Sequence, residues 1–76
     1  MTVDRKIDPR VQRMILMAAA LLDTIRETGD LGAPAGHLYA AVMGRISIDQ
    51  FEGIMATLTG LGKIRKSNHT YYAVHN

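Results

Sequence analysis

The sequence predicts a mainly α domain with a small β-hairpin, an α+β class built on three helices. Three observations carry that expectation. Apolar residues recur at helical spacing in three stretches, each opened by a proline or a serine and closed by a glycine. Residues 63–74 then switch to a two-residue period rich in Ile, Tyr, Thr and Val. Finally, 76 residues without a cysteine leave room for one core and no crosslinks.

The first helix is expected over residues 9–28. Asp8-Pro9 opens it, because the carboxylate can accept an orphan N–H and proline suits the first helical position. Val11, Met14, Ile15, Ala18, Leu21, Leu22 and Ile25 form one apolar stripe, and Gly29 supplies a left-handed stop. Gln12, Arg13, Leu16, Ala20, Asp23 and Glu27 lie opposite, with Met17 at the border. Leu16 is out of place on a solvated face, which makes Leu16 and Ala20 a candidate dimer contact.

Residues 30–33 form a turn with room for a short strand. Pro34 opens a second helix through residue 43, with Leu38, Ala41 and Val42 inward, and Gly44-Arg45-Ile46 breaks it. Ser47 caps a third helix over residues 47–61, its hydroxyl accepting from the N–H of residue 49 or 50. Ile48, Phe51, Ile54, Met55, Leu58 and Leu61 repeat along it, and Gly62 ends it. The hairpin occupies residues 63–74, with Lys66-Ser67-Asn68-His69 as its loop. Strand alternation then turns Ile64, Tyr72 and Val74 inward, and Lys63, Arg65 and Tyr71 outward. Residues 1–7 are expected to be a flexible arm on a single domain spanning 1–76.

Composition excludes several classes. At 47% apolar and 21% charged, the chain is too hydrophobic for disorder and too polar for a membrane protein. Basic residues before the apolar run 14–22 imitate a signal peptide. Asp4, Asp8 and Pro9 interrupt that basic region, however, and charged residues stand where a cleavage site belongs. A cytoplasmic location follows as the expectation. No cysteine means no zinc ribbon, iron–sulfur site or thiol chemistry.

Only three or four residues separate the second and third helices, the spacing of a helix-turn-helix. From Pro34 to Val74 the chain resembles the winged helix-turn-helix superfamily. Leu61-Gly62-Lys63-Ile64 is similar to the passage from recognition helix into wing, and Tyr71-Tyr72-Ala73-Val74 to the returning strand. With the first helix the resemblance covers nearly the whole chain, through motifs general to the superfamily. It implies a DNA-binding scaffold, with the third helix in the major groove and the wing on the phosphate backbone or minor groove. A substantial minority of winged helices are protein-interaction modules instead.

Charge placement carries the functional expectation. Residues 1–30 hold five basic and five acidic groups, residues 31–62 only Arg45 against Asp49 and Glu52, and residues 63–76 three cations and no acid. The formal net charge of +2 is therefore a hairpin of +3 on a body of −1. Lys63, Arg65, Lys66, Asn68, His69 and Thr70 are the candidate contacts to double-stranded DNA, with Arg45, Ser47 and Gln50 at the third helix. The same cations would also guard an edge strand against aggregation.

The third helix is a poor reader of bases. Its outer face is Asp49, Glu52, Gly53, Ala56, Thr57 and Gly60, and Gln50 alone has the chemistry to address a base edge. The acids suit the helix N-terminus through its dipole. Gly53, Ala56, Thr57 and Gly60 make a smooth strip that would admit another backbone closely.

Nothing points to catalysis. His37, His69 and His75 lack ligand spacing, Ser47 has no neighbouring base, and Gly32-Ala33-Pro34-Ala35-Gly36 lacks the Lys and Ser/Thr of a phosphate loop. No cofactor, metal or small-molecule ligand is expected. The expectation is a small DNA-binding accessory transcriptional regulator that contacts mainly phosphates. The alternative is a protein–protein interaction module on the same scaffold without nucleic-acid binding.

Overall fold

The computed structural model describes residues 8–75, so the arm expected over residues 1–7 lies outside the described residues. Helix α1 spans Pro9–Glu27, strand β1 Ala33–Pro34, helix α2 Ala35–Val42, helix α3 Ile48–Gly60, and strands β2 and β3 Ile64–Ser67 and Thr70–Ala73. A 3-10 turn, Gly29–Leu31, joins α1 to β1. The strands form one antiparallel sheet in the order β1-β3-β2. The result is three helices beside a small three-stranded sheet.

Helix ends follow local chemistry. Asp8 caps α1, its Oδ1 accepting from the Arg10 N–H at 2.8 Å. Ser47 and Gln50 form a full capping box on α3: the Gln50 N–H donates to Ser47 Oγ at 3.1 Å, and the Ser47 N–H to Gln50 Oε1 at 2.9 Å. At the far end Gly62 has φ +75, and Lys63 N–H reaches the Leu58 carbonyl while Gly62 N–H reaches that of Thr59. This pair of hydrogen bonds stops the helix and fixes where the chain leaves it.

The core is a single cluster. Met17, Leu21 and Ile25 of α1 meet Leu38 and Val42 of α2, Phe51, Ile54, Met55 and Leu58 of α3, and Ile64 and Tyr71 of the sheet. Tyr39 meets Phe51 edge to face with ring centroids 5.3 Å apart, tying α2 to α3. Four expectations are corrected here. Met17 is buried whereas Val11 and Ile15 are exposed, because the core takes the Met17–Leu21–Ile25 edge of a broad apolar arc. Ala41 is exposed, since α2 turns only Leu38 and Val42 inward. Ile48 and Leu61, at the two ends of α3, are exposed as well.

The fourth correction concerns the hairpin. Its turn is two residues, Asn68 and His69, both at positive φ (52 and 31), rather than the four residues 66–69. That turn pairs Ser67 with Thr70 and so Ile64 with Ala73. Tyr71 is therefore buried beside Ile64, and Tyr72 stands on the other face, half-buried, opposite Arg65. The shift of two residues in loop length leaves strand parity unchanged; pairing with β2 puts Tyr71 and Ala73 on the face of Ile64, and Val74 is half-buried.

Candidate nucleic-acid interface

The cations of the hairpin divide between its faces. Lys66 pairs across the ladder with Tyr71 and shares its face, its Nζ 5.5 Å from the Tyr71 ring centroid. Arg65 pairs with Tyr72 on the opposite face and lays its guanidinium 4.4 Å above that ring. Lys63, two residues before Arg65, has the same parity. All three are exposed, and β2 is an outer strand of the sheet. A hairpin entering a groove edge-on would thus offer positive charge to phosphates on both sides.

The tip is held rather than free. The His69 carbonyl accepts from the Ala35 N–H at 2.7 Å, satisfying one of the orphan donors that open α2. Asn68 and His69 keep their side chains in solvent, and Thr70 is half-buried.

Helix α3 presents little to a base. Asp49, Glu52, Gly53, Ala56, Thr57 and Gly60 are all exposed, as the periodicity implied. Gln50 Oε1 is engaged with the Ser47 backbone, and Thr57 Oγ1 donates to the Gly53 carbonyl at 2.9 Å. The one residue of base-reading chemistry is therefore employed in starting the helix. Ser47→Ala removes one half of the box and is expected to lower stability by about 1 kcal/mol, read as a shift of the urea midpoint.

Arg45 sits apart from the hairpin. It lines a cleft with Arg13, Leu16, Met17, Ala20 and Gly44, formed where the turn after α2 crosses α1. Arg45, expected at DNA, and Leu16 and Ala20, expected at a partner, thus share one surface. Arg13 joins them unannounced. It could be placed on the outer side of α1 from its spacing, but the approach of the turn to that side is a long-range contact.

A second groove separates α1 from α3. Val11 and Ile15 form part of one wall, and Gly53, Thr57 and Leu61 part of the other. Ala56 and Gly60 do not line it. The small-residue strip is thereby split between groove and open surface.

Among the described residues no group of three His, Asp or Glu side chains is gathered as a metal ion would require. Among them also, no helix is long and apolar enough to cross a membrane. No family model matches the chain, and neither a curated protein nor a solved structure does.

Proposed function

We propose that this protein is a winged-helix-like binder of double-stranded DNA, acting as an accessory transcriptional regulator and gripping phosphates more than bases. The observation that carries the reading is the two-faced basic hairpin, with Lys63 and Arg65 on one side and Lys66 on the other. The order helix, strand, helix, helix, hairpin supports it, since the hairpin follows α3 directly in the manner of a wing. Arg45 adds a charge before α3, while Asp49 and Glu52 oppose close contact of that helix with phosphates. Affinity should accordingly be modest and nearly indifferent to sequence.

Fluorescence anisotropy with two labelled duplexes of unrelated sequence tests this. Dissociation constants of about 1–100 µM that differ less than about threefold are expected at low salt. Absence of saturable binding at about 50 mM salt would reject the reading. The alternative, an interaction module without nucleic-acid binding, draws support from the apolar groove between α1 and α3.

A further inference from the structure

We propose that the cleft between α1 and the turn after α2 binds a small amphipathic anion, a carboxylate or phosphate head on an apolar body. The cleft has a volume of about 490 Å³. Small-molecule sites occupy about 300–1,000 Å³. Two of its lining residues are arginines, Arg13 from α1 and Arg45 from the turn, and none is an acid. Neither arginine belongs to the ion pairs among the described residues, Asp8 with Arg10 and Asp23 with Arg26. A guanidinium presents its N–H donors in a fixed fork, which carboxylate and phosphate oxygens match.

The rest of the lining calls for an apolar body. Leu16, Met17 and Ala20 supply it from α1, and Leu16 is 63% exposed, a large side chain that the core does not use. A bare inorganic anion would leave Leu16 in water, whereas an alkyl chain or a ring would cover it. A methyl group added at Gly44 would meet nothing within 4 Å, and Gly44 lacks the positive φ that calls for glycine. Its bare backbone leaves that wall of the cleft open. A second cleft of about 540 Å³ between α1 and α2 shares Met17, Ala20 and Arg45 with the first, and again no acid lines it. Arg45 thus stands where the two meet, and a body longer than the first cleft has room in the second.

Two other occupants fit less well. A second copy placed here on a two-fold axis would bring Arg13 and Arg45 of each copy toward the same pair on the other. Duplex DNA would satisfy the arginines but set Leu16 against a charged, hydrated backbone.

Amide chemical-shift titration of the full chain with decanoate decides the matter. No DNA is present, so a failure here leaves the reading of the hairpin standing. Saturable shifts are expected at Leu16, Met17, Ala20 and Gly44, with a dissociation constant of about 0.1–1 mM. Decanol carries the chain without the charge and should bind about tenfold more weakly, as should inorganic phosphate, the charge without the chain. Decyl phosphate, titrated beside decanoate, shows which head the arginines prefer, and tight binding of either supports the site. Arg13→Gln and Arg45→Gln should each weaken decanoate about tenfold. Arg26→Gln, on the same helix but outside the cleft, should not. All three arginines are exposed, and an unchanged spread of amide shifts verifies that the variants fold. Absence of saturable shifts at the four cleft residues up to about 5 mM decanoate overturns the proposal. Equal affinity for decanol or for inorganic phosphate overturns it as well, and so does wild-type affinity in both cleft arginine variants.

Discussion

Replacing Lys63, Arg65 and Lys66 together by alanine is expected to lower affinity for duplex DNA by about 500-fold at 0.1 M salt and about 80-fold at 0.2 M. The figures follow from counterion release. Each phosphate neutralised adds about 0.9 to the slope of log affinity against log salt, so three lost contacts remove about 2.7. The deficit vanishes toward 1 M salt, which separates it from a folding defect. Single variants examine the geometry. If the hairpin enters edge-on, Arg65→Ala and Lys66→Ala each remove about 0.9 from the slope. If it lies flat on its Tyr72 face, only Lys63 and Arg65 register. An unchanged slope in the triple variant would leave the cations as guards of the exposed edge of β2 and nothing more.

Gly32→Ala is expected to cost about 3 kcal/mol, close to the limit that a domain of this size can lose and remain folded. Gly32 has φ +74 and ψ +171, a region almost confined to glycine. A Cβ there would come within 2.5 Å of Tyr72 Cε1 and 2.7 Å of Thr70 Cγ2. Backbone strain and steric overlap therefore act together. Thermal unfolding should show a melting temperature lower by about 12–24 °C. Tyr72→Ala in the same background removes the ring from the overlap. Its own cost should then be smaller than in the wild type, a coupling of about 1 kcal/mol. A Gly32→Ala protein as stable as the wild type would mean that the backbone of residues 31–33 can shift to make room.

What could be read from the sequence was chiefly what neighbours in the chain decide. Asp8, Ser47, Gly29 and Gly62 mark helix ends because each acts on backbone groups within a few residues. The exposure of Asp49, Glu52, Gly53, Ala56, Thr57 and Gly60 follows from their position opposite the apolar stripe of α3. Misassignments arose where distant elements decide. The apolar arc of α1 is wider than the core can cover, and which edge goes inside depends on where α3 and β3 lie. On β3 the two-residue turn sets the register, Ile64 with Ala73, while either loop length places Tyr71 on the face of Ile64. That Arg13 and Arg45 line one cleft has no local signal at all. Gln50 was legible as a polar residue with reach, but its capping role competes with any contact to a base.

The bond from Ala35 to the His69 carbonyl has a consequence for how the molecule is made. Helix α2 has eight residues, too few to persist alone, and no side chain caps its start. Its first turn is completed by a segment more than thirty positions later, and Ile64 and Tyr71 reach the core from the same late segment. A chain made only as far as α3 therefore leaves the Ala35 donor, and the core positions of Ile64 and Tyr71, unfilled until β3 follows. Completion of α2, the sheet and the core is thereby coupled through one late segment, as a cooperative transition requires.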